Sequence, residues 1–411
     1  MRKTAVKAGS DGIPRALAAA LLFFAGIAAG AEFRQEHLVL GFWGDPPVDG
    51  LVNARYAEVA EAGFNIVMGG LGASSPALAQ RQRDACNRVN IRVLFATYGL
   101  PVKALCNCET TYGFLVRDHP SLGELDTLRS RVEEVRRERP GKLPFINLAP
   151  PSTPPEKLGA PDYDAYVQAI LKTLRPEILC WDELPWAMPG EDGPKRYEEA
   201  LKFFRDISMK QGTPFWTFVQ AMAYGTDYEP TEGDIRWQVH TALAYGAKGI
   251  LYFSYATPVN DPKTKGSGMI DPDGRKTERY RIVSGINREI KKVMAVLFRS
   301  VSVGVFNLQD AEQARALSET VPSVQFSSGI PVTVGVLRDV DGSMMLYTVN
   351  RNCAESAAVS LSSEVPVSEL DWKSGKLAPL KNGAPIRDNF QLGLDPGDAR
   401  ILVLKGVSSS G

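Results

Sequence analysis

The sequence predicts an α/β protein, in which a (β/α)8 TIM barrel over residues 32–300 is followed by a small all-β domain of the β-sandwich type over residues 301–411. Eight short, continuously apolar segments alternate with helix-like segments over roughly 250 residues, which is typical of parallel strands covered on both faces. After residue 300 the helical period gives way to short alternating segments and turns, which are typical of antiparallel strands.

The barrel prediction depends on the order of its strands and helices. The predicted strands are Leu38–Trp43, Phe64–Met68, Arg92–Thr97, Tyr112–Val116, Pro144–Leu148, Glu177–Trp181, Pro214–Val219 and Gly249–Tyr255. The predicted helices are Val52–Ala62, Ala77–Val89, Leu122–Arg139, Tyr163–Leu174, Tyr197–Gln211, Glu232–Ala244 and Tyr280–Phe298. An open doubly wound sheet is the alternative, but it usually carries a glycine-rich phosphate turn after its first strand. Here that turn reads Gly44-Asp45-Pro46-Pro47.

The C-terminal domain is predicted from four short strands separated by turns. They are Val332–Leu337, Ser343–Asn350, Ala357–Leu361 and Arg400–Leu404. Such a domain commonly packs on the barrel, and glycan binding is the alternative role.

The N-terminus has the pattern of a secretory signal peptide. Four basic residues precede an apolar run over residues 16–30, which ends in the small-x-small sequence Ala29-Gly30-Ala31. An uncleaved anchor helix is the alternative, but the run is short for a bilayer core of about 30 Å. We therefore predict a signal peptide over residues 1–31, an exported periplasmic or extracellular protein, and no membrane span after cleavage.

The charge balance and the cysteine content limit the kinds of molecule that this protein is expected to bind. Lys+Arg and Asp+Glu both number 47, so no net field favours nucleic acid or an anionic membrane. The five cysteines and the scattered His37, His119 and His240 lack metal-ligand spacing. We predict no nucleic-acid partner, no metal and no cofactor, and a neutral polymer or small molecule as the partner.

Two strand ends carry the candidate catalytic residues, because the carboxyl ends of the strands form the active site of a (β/α)8 barrel. Asp118 and His119 follow strand four, and Asp182 and Glu183 follow strand six. Glycosidic bonds are normally hydrolysed by two carboxyl groups. With one strand between them, Asp118 and Asp182 are expected about 7 to 10 Å apart, which favours inversion. Adjacent residues leave a strand on opposite sides, so Asp182 and Glu183 are not expected to serve equally.

The remaining candidates have more than one interpretation. His119 either forms a simple turn with Pro120, acts as a general acid, or holds a carboxylate ionised. Arg117 is expected to pair with Asp118 and keep it ionised. Acidic residues early in the predicted helix from Glu232 are interpreted as structural, with Thr231 as the N-cap.

Aromatic and polar residues near the strand ends are the candidate substrate ligands. Rings with polar edges suit a carbohydrate, although about half of them are expected to fill the core instead. The predicted ligands are Trp43, Asp45, Tyr98, Asn147, Trp181, Trp186, Trp216, Gln220, Tyr252 and Tyr255.

Several segments resemble one family. They are Pro144-Phe145-Ile146-Asn147-Leu148, Pro214-Phe215-Trp216, Arg236-Trp237-Gln238, and residues 242–250 leading into Tyr252-Phe253. On these segments the chain resembles exported bacterial glycoside-hydrolase-like (β/α)8 proteins with a C-terminal β-sandwich. The resemblance covers the chain from about Leu38 onward and implies a carbohydrate substrate, an oligosaccharide or polysaccharide.

The chain departs from the family pattern at three strand ends. Strand four typically ends Asp-Glu-Pro, strand six carries a Tyr-Asp-His-Tyr-Pro type of turn, and the large retaining clan has a glutamate after strand seven. Here the corresponding sequences are Asp118-His119-Pro120, Trp181-Asp182-Glu183-Leu184-Pro185 and Gln220.

Two hypotheses follow from these departures. In the first, the protein is a glycoside hydrolase with Asp182 as base or nucleophile and Glu183 or Asp118 as proton donor. In the second, it is a catalytically silent carbohydrate-binding protein on the same scaffold. A cell-surface structural protein is a weaker third hypothesis, because it does not need aromatic residues gathered at one barrel mouth.

Overall fold

The computed structural model describes residues 32–69, 75–97, 101–105, 107–190, 192–372 and 374–404. The predicted signal peptide, the candidate ligand Tyr98 and Cys106 lie outside these residues. None of the helices in these ranges combines the length and apolar character needed to cross a membrane.

The predicted alternation of strands and helices is confirmed. The strands are β1 (Val39–Phe42), β2 (Ile66–Gly69), β3 (Arg92–Ala96), β4 (Thr111–Asp118), β5 (Leu143–Asn147), β6 (Leu179–Trp181), β7 (Phe215–Gln220) and β8 (Gly249–Phe253). The helices are α1 (Val52–Glu61), α2 (Pro76–Val89), α3 (Leu125–Glu138), α4 (Pro155–Leu158), α5 (Tyr163–Leu174), α6 (Gly193–Gln211), α7 (Glu232–Ala244) and α8 (Glu278–Arg299). Between β3 and β4 the described residues contain one 3-10 turn, Val102–Ala104, and a second, Leu122–Glu124, precedes α3.

The eight strands close into a ring through two seams. Strands β1-β8-β7-β6 and β2-β3-β4-β5 form two parallel four-stranded groups. Leu148 joins β5 to β6 by a parallel bridge to Trp181. At the other seam, the Asn65 amide donates to the Leu40 carbonyl at 3.0 Å, and Asn65 Oδ1 accepts from the Leu40 amide at 2.9 Å. The closed ring is the predicted barrel.

Alternation along the strands assigns side chains to two cores. Residues such as Cys180, Trp216 and Leu251 pack inside the barrel. Their neighbours, such as Trp181 and Tyr252, point the other way and pack between the strands and the helices. Because successive side chains leave a strand on opposite faces, a shift of one residue decides whether a side chain at a strand end faces the barrel interior or a helix.

The C-terminal part is antiparallel and all-β except for one helix. It contains β9 (Val301–Asn307), α9 (Ala311–Thr320), β10 (Val324–Ser328), β11 (Val332–Arg338), β12 (Met344–Asn350), β13 (Ala357–Leu370), β14 (Leu377–Pro379), β15 (Pro385–Leu394) and β16 (Ala399–Leu404). The strand order is β10-β13-β16-β12-β11-β9. The long β13 pairs with β10 and β15 along its first part and with β14 and β16 at its end, so one strand joins the two layers.

The C-terminal part packs on the outside of the barrel at α7. His240 of α7 is buried, with Nδ1 2.9 Å from the Tyr347 hydroxyl and Nε2 3.1 Å from Asp398 Oδ1. A second ion pair joins Arg351 to Glu198 of α6 at 2.7 Å. These contacts fix the C-terminal sheet against the barrel helices, which is the packing role expected for such a domain.

The start of α7 confirms the predicted N-cap. Thr231 and Asp234 form a capping box, in which the Thr231 hydroxyl accepts from the Asp234 amide and the Asp234 carboxylate accepts from the Thr231 amide. Glu232 pairs with Arg236 at 3.0 Å. Both acids therefore stabilise the helix, since both lie in its first turn at the positive end of its dipole and Asp234 also caps the Thr231 amide.

Candidate active site

A cleft of about 500 Å³ opens at the carboxyl ends of the barrel strands. Its walls come from the ends of β4 and β6, from the segment after β5, and from the segments after β7 and β8. The lining residues used below are His119, Lys157, Asp182, Glu183, Tyr224 and Lys263. The cleft therefore lies where a (β/α)8 barrel places its active site.

Asn147 brings the two candidate aspartates together. The register of β4 and β5 sets Asp118 beside Asn147. Asn147 Nδ2 donates to Asp118 Oδ1 at 2.9 Å and to Asp182 Oδ1 at 3.0 Å, so these two oxygens lie less than about 6 Å apart. The expected separation of about 7 to 10 Å was wrong, and the upper limit of about 6 Å on the Oδ1–Oδ1 distance includes the spacing of about 5 to 5.5 Å found in retaining glycosidases.

His119 occupies the space beside both carboxylates. It leaves β4 with a left-handed backbone (φ +47°), and its amide donates to the Asn147 carbonyl at 2.9 Å. Its Nε2 forms a short hydrogen bond to Asp182 Oδ1 and lies 3.8 Å from Asp118 Oδ1. A positive φ is uncommon for a side chain of this size, and such positions cluster at functional sites.

These contacts set the charge of His119. Burial lowers the pKa of the imidazole, but the hydrogen bond to Asp182 and the charges of Asp182 and Asp118 outweigh it and raise the pKa to about 9. His119 is therefore a cation at neutral pH, and its charge lowers the pKa of the neighbouring Asp118 carboxyl. Of the interpretations open at the sequence level, the geometry favours the one in which His119 holds a carboxylate ionised.

Asp118 differs from Asp182 in its electrostatic surroundings. Burial raises the pKa of the Asp118 carboxyl, although the His119 cation and the Asn147 hydrogen bond oppose that rise. The expected ion pair between Arg117 and Asp118 is absent. Arg117 pairs with Glu124 at 2.8 Å instead, and its charge makes only a small contribution that lowers the pKa of Asp118.

Glu183 is directed into the wall of the cleft. Its residue surface is 2% exposed, and Oε1 accepts from Arg196 Nε of α6 at 3.2 Å. Burial raises the pKa of Glu183, and the charge of Arg196 opposes the rise. Asp182 and Glu183 leave the end of β6 on different sides. Only Asp182 therefore shares the partners Asn147 and His119 with Asp118.

Four of the predicted aromatic ligands lie in the core, so their assignment as substrate ligands is corrected, and they belong to the half of the rings that was expected to fill the core. Trp181, Trp216, Tyr252 and Tyr255 are all fully buried. Trp181 stacks on Phe204 of α6 with ring centroids 3.7 Å apart. The remaining three contact other buried groups: Trp216 Nε1 donates to Gln35 Oε1, the Tyr252 hydroxyl donates to Asn287 Oδ1, and the Tyr255 ring stacks on Phe42.

The side chains of Asp45 and Gln220 also form their hydrogen bonds within the protein. Asp45 is buried and accepts hydrogen bonds from the Tyr56 hydroxyl and from Gln82 Nε2. Gln220 is buried at the end of β7, where Oε1 accepts from the Trp186 amide at 2.9 Å and Nε2 donates to the Met222 carbonyl at 3.2 Å. The assignment of these two side chains as substrate ligands is corrected for the same reason, since their polar groups are engaged within the protein.

Half-buried rings remain near the mouth. The partly buried rings of Trp43, Tyr224 and Phe253 pack against the apolar residues of the barrel interior. The Tyr224 and Phe253 rings meet edge to face at 4.7 Å. Trp186 stacks on the exposed Tyr228 with ring centroids 5.2 Å apart. Trp43 and Trp186 are thus the predicted aromatic ligands that keep exposed surface in the described residues.

The sequence analysis did not select Lys157 or Lys263 as candidate site residues. Tyr224 and Lys263 lie on the segments after β7 and β8, and the two segments are joined by a bridge between Tyr224 and Thr264. Long segments at this face of a (β/α)8 barrel commonly carry function. The length of the β8–α8 connection was therefore the sequence feature that could have indicated a functional role for Lys263.

Metal ligands are not gathered at this site. Within the ranges that the structure describes, no group of three or more His, Cys, Asp or Glu side chains is arranged to hold a metal ion. Cys86, Cys108, Cys180 and Cys353 are free thiols.

Comparison with known proteins identifies the fold. The sequence profile of the Glyco_hydro_42 family, described as beta-galactosidase, matches residues 158–293, about a third of the chain. A Bacteroides fragilis protein described as an alpha-galactosidase/melibiase superposes with a TM-score of 0.51 at 10% identity, over 90% of this chain and 79% of its own. The chain has the (β/α)8 fold of the glycoside hydrolases.

Other solved structures superpose on this chain with lower TM-scores. A glucosidase from Croceicoccus marinus has a TM-score of 0.47 at 12% identity, over 92% of this chain and 97% of its own. A beta-galactosidase from the psychrophilic Marinomonas ef1 has a TM-score of 0.43 at 11% identity over 62% of this chain, which spans 60% of the length of that enzyme. A comparison with curated protein sequences found no significant match.

Proposed function

We propose that this protein is an exported glycoside hydrolase that cleaves its substrate with retention of anomeric configuration. The observation that carries the proposal is the pair formed by Asp118 and Asp182, whose Oδ1 atoms lie less than about 6 Å apart at the mouth of a glycosidase-type barrel. Two carboxyls at about 5 to 5.5 Å suit a nucleophile and a proton donor acting from opposite sides of one bond. Export rests on the signal-peptide pattern of residues 1–31.

Asp182 is the proposed nucleophile. Its hydrogen bonds to His119 and Asn147 in the described residues all end on Oδ1, which leaves Oδ2 for attack on the anomeric carbon. The His119 cation lies against this carboxylate and forms an ion pair with it. Attack forms a covalent glycosyl ester while the bond from the anomeric carbon to the leaving oxygen breaks.

Asp118 is the proposed acid and base. Burial raises the pKa of its carboxyl, which favours the protonated form that donates to the leaving oxygen. In the second step the Asp118 carboxylate accepts a proton from water, whose oxygen attacks the anomeric carbon and frees Asp182. Glu183 is the less suitable donor, because it is 2% exposed and bonded to Arg196.

A specific observation favours the alternative, a silent carbohydrate-binding protein. His119 contacts both carboxylates, and the end of β7 presents a buried amide, Gln220, in place of a carboxylate. If the His119 ion pair did not yield to substrate, the two acids would be held without turnover. The cleft would then bind a sugar and leave its bonds intact.

Turnover by the purified protein separates the two functions. We expect measurable release of aglycone from at least one member of a panel of α- and β-linked aryl glycosides, and release of reducing ends from an oligosaccharide with the same sugar. Calorimetry with the same sugars gives the matched binding measurement. Sugar binding with no turnover across the panel would contradict the hydrolase and support the silent binding protein.

A further inference from the structure

We infer that the cleft selects sugars that carry an anionic substituent, a carboxylate or a sulfate, which Lys157 and Lys263 hold beside the Asp118–Asp182 pair. The inference rests on the proposed function only in placing a sugar in this cleft. Both lysines line the cleft together with His119 and Asp182, and both are exposed. They come from different parts of the barrel, Lys157 from the segment after β5 and Lys263 from the segment after β8.

The backbone of Lys263 is held in place at the mouth. Its amide donates to Asp261 Oδ1 at 2.9 Å, and its carbonyl accepts from the Gly225 amide of the β7–α7 segment at 2.7 Å. The Tyr224 hydroxyl donates to Asp261 Oδ2 at 2.7 Å. This network joins the two segments, so the backbone that carries Lys263 is held in the same cleft wall region as His119.

Lys157 is presented from a short helix. It belongs to α4, and its amide donates to the Pro154 carbonyl at 3.0 Å. The segment that leads from β5 into α4 contributes Pro150, Ser152 and Thr153 to the same wall of the cleft. Pro154 and Pro155 have fixed φ angles, which restrict the backbone between β5 and Lys157. The position of Lys157 relative to β5 is therefore limited.

The carboxylates of the cleft already have partners. Asp118 and Asp182 are bonded to Asn147 and share the His119 cation. Glu183 is bonded to Arg196.

Asp261 also has partners, since its two oxygens accept from the Tyr224 hydroxyl and the Lys263 amide. Neither Lys157 nor Lys263 forms an ion pair among the described residues, whereas Asp118 and Asp182 are paired with His119 and Glu183 with Arg196. An anionic group on the substrate would form charge-assisted hydrogen bonds with these two ammonium groups.

Matched pairs of substrates test this selectivity. Aryl glucosides and galactosides, in both anomeric forms, are compared with the corresponding uronides and with a 6-sulfated galactoside at low salt. We expect kcat/KM for an anionic member to exceed that of its neutral partner by about tenfold or more, which corresponds to about 1.4 kcal/mol. Raising the salt from 50 to 500 mM should reduce the ratio, because exposed charges are screened.

Variants assign the effect to the two lysines. In the Lys157→Gln/Lys263→Gln double variant the ratio of kcat/KM for the anionic member to kcat/KM for its neutral partner should fall to about threefold or less. Lys265→Gln is the matched control, since Lys265 is exposed on the same β8–α8 segment but does not line the cleft. A comparison of the uronides with the 6-sulfated galactoside shows whether the cleft prefers a carboxylate or a sulfate.

The outcomes separate this inference from the proposed function. A preference for neutral sugars, equal rates for both members of each pair, or a preference that survives the double variant would overturn the inference and leave hydrolysis intact. If no substrate is turned over, calorimetry with glucuronate, glucose and galactose 6-sulfate on the wild type decides whether the inference holds. Tighter binding of the anions, lost in the double variant, would support it, and equal or absent binding of the anions would overturn it.

Discussion

Replacement of Asp182 by Asn should lower kcat on an aryl glycoside by on the order of 10³- to 10⁴-fold, with only a small change in the free energy of unfolding. The amide keeps the shape of the side chain but cannot form the glycosyl ester. Asp182 is partly exposed at the end of β6, so the loss of its charge leaves no buried cavity.

The same variant changes the titration of His119. With its principal partner neutral, the imidazole loses most of the interaction that raises its pKa to about 9, and the pKa should fall toward the ordinary value of 6.5. An NMR titration of the ring resonances measures this fall. The sequence has three histidines, so the signal of His119 is readily assigned by its absence in a His119→Gln variant.

Glu183→Gln is the matched control, because it makes the same chemical change one residue along the chain. Glu183 is buried and paired with Arg196, so its loss should reduce stability while kcat per folded molecule stays within about tenfold of wild type. Equal loss of kcat in folded Glu183→Gln and Asp182→Asn would assign proton donation to Glu183. A mild effect of Asp182→Asn would remove Asp182 from catalysis.

Replacement of Trp181 by Ala should reduce the free energy of unfolding by about 3 to 5 kcal/mol. The indole is fully buried, and it stacks on Phe204 and packs against Phe215. The truncation removes a large apolar surface and leaves a cavity between β6 and α6. Urea unfolding followed by circular dichroism measures the change.

Trp186→Ala is the control for Trp181→Ala, since the two tryptophans flank the same strand end. Trp186 is half-buried against Tyr228, so its truncation should cost less stability and, if the ring contacts sugar, should raise KM. For Trp181→Ala we expect KM unchanged in the folded fraction. Near-wild-type stability combined with a raised KM would show that Trp181 contacts the substrate instead.

The barrel could be predicted from the sequence because its strands are short apolar runs separated by amphipathic helices. Helices α5 and α7 were predicted with their observed bounds, Tyr163–Leu174 and Glu232–Ala244. The C-terminal sheet was predicted less fully. Strands such as β10 and β15 expose many of their residues and contain few strongly apolar ones, so they were missed, and Pro366 obscured the second half of β13.

The composition of the candidate site could be predicted, but its geometry could not. The rule that strand ends form the mouth selected Asp118, His119, Asn147 and Asp182. Curvature of the closed barrel turns inward-facing side chains of alternate strands toward one another, so the two aspartates approach more closely than strand spacing suggests. The direction of Trp181 and Tyr252 depends on a shift of one residue at a strand end, which composition does not specify.

The anomeric configuration of the first product tests the account most directly, because it reports whether Asp118 and Asp182 act as the closely spaced pair that the structure brings together. Proton NMR during the first minutes of cleavage, before mutarotation, distinguishes the two anomers. The Asp118–Asp182 spacing predicts that the released sugar keeps the configuration of the substrate. Release of the inverted anomer would contradict it, because inversion needs room for a water molecule between the two carboxyls.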